Sequence, residues 1–437
     1  LTRRAKTGHI ESFIRFDIRR ESRPDRLEVI REALERTLGD IRAAVADWSK
    51  MRAKMADAIA DIEKIKPANA ALRDETVELL RWLNDDKFTY LGYREYRLDD
   101  SGEAQTLRPV GRSALGVKRI PGRRGRAHEV TTPMERFRRS PDIVLLTKAN
   151  SRATVHRESN LDYVGIKTYG RDGKPNGERR FIGLLTSQAY SEHPASIPLV
   201  RGKVDRILDR AGLDPTGHRG KALLHILSNY PRDELFQASI SDLLRTTTGI
   251  LNLQDRRRVK LFLRRDPFHR FYSCLVFVPR EKYNTEVRQK TEQILLKALN
   301  GNTVESTAQV SEATLARVHL LVYADGRKKP HISIRQIEAT IADAVVTWRD
   351  RLRTALADNF GEERGADLFE TYGGIFPLAY EEDHDAQQAC HDIQRLDTLL
   401  AGDASALRAF DLHIEPRGPV AGIRFRVFRF DDPIALS

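Results

Sequence analysis

The residues that could carry chemistry in this sequence are few and scattered. The richest stretch is YEEDHDAQQACHDI (380–393), which gathers Glu381, Asp383, His384, Cys390 and His391. On one helix His384 and His391, seven positions apart, would share a face and could converge on a metal. Their spacing fits no standard zinc pattern, and an acidic, solvated helix start accounts for the carboxylates. Cys274 sits inside an apolar run and reads as a buried core thiol rather than a nucleophile. Asp85 and Asp86 are neighbours, and adjacent residues at a helix end do not face one another, so a cap or turn is expected there. His156, in VHRESNLDYVGIK, is near an expected strand with no partner for catalysis nearby. No G-x-G-x-x-G follows a strand, and P-loop, G-x-S-x-G and H-E-x-x-H motifs are missing. No catalytic, cofactor-binding or metal-binding residue is therefore assigned.

Composition narrows the class. In 437 residues, 74 Lys and Arg face 62 Asp and Glu, a formal charge of +12. Such a balance raises the possibility of phosphate contacts. The one dense basic run, KRIPGRRGR (118–126), contains Pro121, Gly122 and Gly125 and reads as a mobile surface loop. Elsewhere, as in RESRPDRLEVIREALER (20–36), acids alternate with bases along the solvent side of a helix. Without a zinc finger, an aromatic RNA-binding strand or a basic zipper, nucleic acid is not an expected partner. No apolar run approaches the roughly 18 residues of a membrane span, so no membrane partner is expected either. Two cysteines cannot build a disulfide framework, which points to a reducing cytoplasm. The chain starts with Leu1 rather than Met and stops just after the strand-like IRFRVFRF (423–430), so it reads as an internal piece of a longer polypeptide.

The elements that would position these residues fall into three blocks. In the first, Ile10 to Ile18 alternates as a strand, and Pro24-Asp25 opens a long helix carrying Leu27, Ile30, Leu34, Leu38, Ile41, Val45 and Trp48. That stripe weakens after Trp48, so a helical connector is expected up to Pro67. In the second block a helix near 72–84 precedes the strands FTYLGYREYRL (88–98), DIVLLTKA (142–149), DYVGIKTYG (162–170) and RFIGLLTSQAY (180–190). Asp172-Gly173 marks a hairpin between the last two. Helices are expected at about 197–212, 219–229 and 233–246. The third block reads β-β-α-β-β-α, with a turn at Asp266 to His269, an N-cap at Asn284 or Thr285, and a capping box from Ser333 to Gln336. This is a ferredoxin-like unit with its last strand moved to the front. An internal repeat at a separation of 300 sets Leu34, Ile41, Ala44, Val45 and Trp48 against Ile334, Ile341, Ala344, Val345 and Trp348, all expected in cores.

Longer stretches carry a resemblance. WLNDDKFTYLGYREY (82–96), VHRESNLDYVGIKTY (155–169), ERRFIGLLTSQAY (178–190), IPLVRGKVDRIL (197–208), NYPRDELFQ (229–237) and DPFHRFYSCLVFVPREKYNTEVR (266–288) resemble the large bacterial NAD-dependent glutamate dehydrogenases, in order and over nearly the whole chain. The resemblance implies an α+β N-terminal regulatory segment. Residues 1–50 would be the C-terminal part of a first ACT-like domain, 51–71 a helical connector and 72–190 a PAS-like domain. A helical region at 191–255, a second ACT-like domain at 256–357, a helical motif at 358–421 and the start of a third ACT-like domain at 422–437 would follow. The whole chain would oxidatively deaminate L-glutamate to 2-oxoglutarate and ammonia, with NAD bound outside this segment and self-association into a homo-oligomer. An amino-acid effector at an ACT-like sheet edge and a purely structural role in subunit contacts both stay open.

Overall fold

A computed structural model describes the chain apart from residues 1, 5–9, 13–14, 66–68, 102–103, 124, 254–257, 310–313, 325–329, 402–408, 416–421 and 429–437. It divides into two units, Leu1–Gln254 with Asp266–Arg270, and Asp255–Arg265 with Phe271–Ser437.

In the first unit β1 (Thr2–Arg4) pairs with β2 (Ile10–Ser12). The strand expected through Ile18 does not extend that far among the described residues: Phe16 and Ile18 are exposed and outside regular structure. Pro24, whose missing N–H costs nothing in a first turn, opens α1 (Pro24–Lys64). This single helix runs without interruption through the stretch expected to be a connector. Its burial is the reverse of the expectation. Met51, Met55, Ala58 and Ile62 are buried, whereas Leu34, Ile41, Val45 (71% exposed) and Trp48 (43%) are not. The sequence stripe was strongest where the helix is bare, because periodicity reports an apolar face and not what covers it.

After α2 (Ala70–Trp82), a turn at Leu83–Lys87 in which Asp86 has φ 55° leads into the sheet, so Asp85 and Asp86 are turn residues. The sheet is antiparallel in the order β6 (His128–Glu129), β4 (Thr106–Pro109), β3 (Phe88–Asp99), β9 (Pro175–Leu185), β8 (Asn160–Tyr169), β7 (Val144–Arg152), with β5 (Leu115–Gly116) also on β3. The Asp172-Gly173 hairpin joins β8 and β9, Gly173 taking φ 76°. Alternation along the strands makes two faces. Tyr93, Val164, Ile166 and Phe181 are buried on one, where Arg179 pairs with Asp61 of α1 at 2.7 Å. Tyr96, Tyr163, Lys167, Glu178 and Arg180 belong to the other, beside α3 (Thr132–Arg139).

The strand expected to run to Tyr190 ends at Leu185, since Thr186 Oγ1 accepts the N–H of Ala189 and starts α4 (Ser187–Ser191). Helices α5 (Val200–Ala211), α6 (His218–Ser228), α7 (Arg232–Gln237) and α8 (Ile240–Leu251) follow. One helix expected at 233–246 is two, because the Ser239 side chain caps a new start by accepting from Asp242 N.

The second unit holds β10 (Lys260–Arg265), β11 (Phe271–Pro279), α9 (Thr285–Ala298), β12 (Gly301–Gln309), β13 (Leu315–Ala324) and α10 (Ile334–Val345), in the expected order. The sheet runs β10-β11-β13-β12, antiparallel throughout. One core takes Cys274, Val276 and Val318 from the strands, Val287 and Leu295 from α9, and Ile337, Ile341 and Val345 from α10. Asn284 Oδ1 accepts from Val287 N at 2.8 Å, the expected cap. Ser333 caps α10 through Gln336 N, while a complete capping box sits one helix later, between Thr347 and Asp350. There the chain breaks, and α11 (Trp348–Phe360) turns Leu352, Ala355 and Leu356 into a separate core with α12 (Glu362–Tyr372) and α14 (Ala386–Ala401), the short α13 (Leu378–Asp383) lying between. The first core therefore closes near Val345, earlier than 357. Trp348 packs on Phe376 and Tyr380, so its match to Trp48 is not a shared core role, and Ile41 and Val45 are exposed where Ile341 and Val345 are buried.

The helical motif expected through 421 ends at Ala401, and β14 (Ala409–Glu415) pairs with β15 (Gly422–Phe428). The end of the strand-like run at 429–430 lies outside the described residues. Among the described residues no helix is long and apolar enough to cross a membrane.

Candidate functional site

The metal constellation does not assemble. His384 is the extended residue that ends α13, its ring stacked on Tyr380 at 4.2 Å, whereas His391 is exposed on α14. The two are on different helices. Cys390 is buried beside Ala389 and Ile393, and burial pushes its thiol up to about 11. Among the described residues no group of three His, Cys, Asp or Glu could hold a metal. Cys274 is fully buried in β11. His156 is exposed in the turn between β7 and β8 with φ 68°.

The basic run is not a loose loop either. Asp40 and Asp47 lie seven apart on α1, each only 1% exposed. Asp40 receives Arg123 at 2.7 Å and the Thr154 hydroxyl. Asp47 receives the Gly116 N–H at 3.0 Å and pairs with Arg119 at 3.2 Å. Burial raises the Asp47 carboxyl, but these donors and Lys50 outweigh it and hold its pKa below the usual range.

A cavity of about 380 Å³ lies on the sheet face opposite Tyr93 and Phe181. It is floored by Leu98, Leu107, Leu145, Tyr163, Lys167, Glu178 and Arg180 and walled by Met134, Phe137 and Arg138 of α3, with Phe268 and Arg270. Its polar groups are ordered by one another. Tyr163 Oη donates to Glu178 Oε1, and Arg180 Nη2 lies 3.0 Å from Glu178 Oε2. The Arg180 guanidinium stacks 4.0 Å over the Tyr96 ring and donates to His128 Nε2 at 3.0 Å. Arginine has only donors, so Nε2 accepts, and the His128 proton sits on Nδ1, directed at Arg126 O at 3.2 Å. Burial, then Arg180, lowers the His128 pKa in keeping with a neutral ring. Gly165 faces this network because a Cβ there would stand 2.2 Å from Glu178 Oε1.

Charge in the cavity is nearly balanced. Arg138 is held by Glu135 through two 2.7 Å bonds, and Arg270 by Asp266 at 2.9 Å. Lys167 differs. It is 4% exposed, donates once, to Ser140 O at 2.7 Å, and lies 4.6 Å over the Phe137 ring. Burial lowers its pKa to about 8.

A second polar cluster centres on the buried Lys148 and Asp162. Lys148 Nζ lies 2.6 Å from Asp162 Oδ1 and 3.2 Å from Asp233 Oδ2. Asp162 Oδ2 accepts the Leu185 N–H at 2.8 Å, and Tyr190 Oη donates to Asp233 at 3.0 Å. It ties β7, β8 and α4 to α7. Burial would lower the Lys148 pKa, but the two carboxylates carry it well above its ordinary value. Burial dominates at Asp162, whose pKa is raised despite Lys148.

None of these residues was singled out by sequence. Lys167, Glu178 and Arg180 sit in strands otherwise rich in apolar and aromatic residues, and charges at strand positions of one parity were the available signal.

Comparison with known proteins follows the same order along the chain. Residues 197–256 match helical motif 1 of glutamate dehydrogenase, 260–349 its ACT2 domain and 355–399 its helical motif 2. An NAD-specific glutamate dehydrogenase of Halomonas elongata is 37% identical over 432 residues, covering 98% of this chain and 27% of the relative. That of Pseudomonas aeruginosa is 33% identical over 435 residues, 98% of this chain and 26% of the relative. One from Mycobacterium tuberculosis is 31% identical over 385 residues, 84% and 22% respectively. The chain spans about a quarter of the length of the curated relatives it matches.

Proposed function

Because the chain belongs to the large bacterial NAD-specific glutamate dehydrogenase family, we propose that it is a non-catalytic regulatory and assembly segment of such an enzyme. The whole polypeptide would oxidise L-glutamate to 2-oxoglutarate and ammonia in the cytoplasm, with NAD bound outside these residues and with self-association into a homo-oligomer. The observation that carries this reading is the unbroken succession of helical motif 1, ACT2 and helical motif 2, none of them a dehydrogenase core. The antiparallel order β10-β11-β13-β12 with α9 and α10 in one core supports a ferredoxin-like, ACT-like second unit. The sheet of the first unit, with α3 over one face and a cavity beneath it, supports the PAS-like reading.

The test is removal of this segment from the polypeptide that carries it. Glutamate-dependent NAD reduction should persist in some measure, while subunit number by sedimentation, or the response to added amino acids, changes. A truncated enzyme unchanged in both would refute the proposal.

A further inference from the structure

A buried ammonium facing a cavity is costly unless an anion meets it. In the cavity of the first unit, Arg138, Arg180 and Arg270 each already have a carboxylate, from Glu135, Glu178 and Asp266. Lys167 has only the Ser140 carbonyl and the Phe137 ring, with Asp142 contributing at longer range and Arg138 opposing. Its cross-strand neighbour Glu178 is turned to Tyr163 and Arg180 instead. Two N–H groups of Lys167 have no acceptor among the described residues. One unmatched positive charge asks for a ligand with one negative charge, and a dianion would need a second. The rest of the lining sets hydrocarbon from Leu98, Leu107, Met134 and Leu145 beside the neutral polar groups of Thr131, Thr147 and Asn150. A volume of about 380 Å³ lies toward the small end of small-molecule pockets.

We propose that this cavity binds a small monocarboxylate with an apolar body, its carboxylate on Lys167 Nζ and its hydrocarbon against Met134, Leu145 and Phe137. Binding here does not depend on the regulatory reading. The carboxylate completes the Lys167 hydrogen bonds, and the apolar body displaces water from the α3 wall.

Calorimetry on the 437-residue chain tests this with hexanoate, 4-methyl-2-oxopentanoate and phenylacetate, and with hexan-1-ol as the uncharged control. At least one acid should bind, and hexan-1-ol at least 10-fold more weakly than hexanoate wherever hexanoate binds. Lys167→Gln should lose at least 10-fold. Because that variant removes a buried group and could unfold, Met134→Trp, which fills the cavity from a partly exposed helix position, should abolish binding without touching Lys167. No heat with any acid, equal affinity for hexan-1-ol and hexanoate, or unchanged binding in either folded variant would overturn the proposal.

Discussion

Replacing Lys148 by Met separates a structural ion cluster from a decorative one. The side chain is buried between Asp162 at 2.6 Å and Asp233 at 3.2 Å, so Met fills its space and leaves two carboxylates facing each other without a cation. Keeping both ionised in a buried site would be very costly, and the variant escapes by protonating Asp162, whose pKa burial already raises. The escape sets the magnitude. Protonating at pH 7 a carboxyl that titrates near 3.9 when unfolded spans about three pH units, at about 1.4 kcal/mol each, or about 4 kcal/mol. The sign follows from linkage. A carboxyl with a folded pKa above its unfolded value favours the folded state at low pH and loses that contribution as pH rises through the folded pKa. The Lys148→Met deficit should therefore shrink by about 1.4 kcal/mol per unit as pH falls from 7, until pH reaches the raised pKa that Asp162 has in the parent, below which both proteins carry the proton. Asp162→Asn should cost about 1–3 kcal/mol, less than Lys148→Met, because Lys148 keeps Asp233 while the single amide oxygen can accept from only one of Leu185 N–H and Lys148. Urea unfolding followed by tryptophan fluorescence gives both numbers, with Trp82 reporting locally through its bond to Glu192 at 3.0 Å. Equal costs for the two variants, or a Lys148→Met deficit independent of pH, would refute the reasoning.

Gly165→Ala forces a methyl to within 2.2 Å of Glu178 Oε1 and 2.7 Å of Tyr163 Cε1, and should destabilise by about 1–3 kcal/mol. Gly111→Ala, where nothing lies within 4 Å, should stay within about 0.5 kcal/mol by the same melting assay. Cys274 and Cys390 are both buried, and burial pushes the Cys390 thiol up to about 11. Both should react with a thiol reagent at neutral pH only once urea unfolds the chain, and rapid modification of either in the folded protein would contradict that burial.

Much of the architecture could be read directly. Pro24, Asn284, Ser333 and Asp172-Gly173 act locally, and each starts or turns an element where its chemistry requires. Errors arose where tertiary contacts decide. Periodicity identified the stripe from Leu27 to Trp48 as a core face, yet the half of α1 that is buried is the one with the weaker stripe, through Met51, Met55 and Ile62. The supposed histidine pair was lost to a helix break at His384, where the capping Asp385 side chain accepts from Gln388 N and starts α14. The candidate site was least legible, because Lys167, Glu178 and Arg180 lie on two strands and meet only through the β8–β9 register.

The formal charge of +12 shows why counting is a poor guide to partners. In the dense basic run, Arg119 and Arg123 are matched by Asp47 and Asp40, two acids buried in a helix far away in sequence. Arg138 and Arg139 share Glu135, and Arg201 joins Glu75 and Glu78. The pairs of Arg119, Arg123 and Arg201 fix elements against one another, the Glu135 set lies within α3, and all of them offer little to a polyanion, which needs many displaceable cations on one surface. A single buried cation with no carboxylate in contact exerts a stronger and more selective pull than an exposed excess, since low dielectric magnifies it and salt scarcely screens it. Lys167 is such a cation, and one charge at the edge of an apolar cavity selects one small anion rather than a polymer.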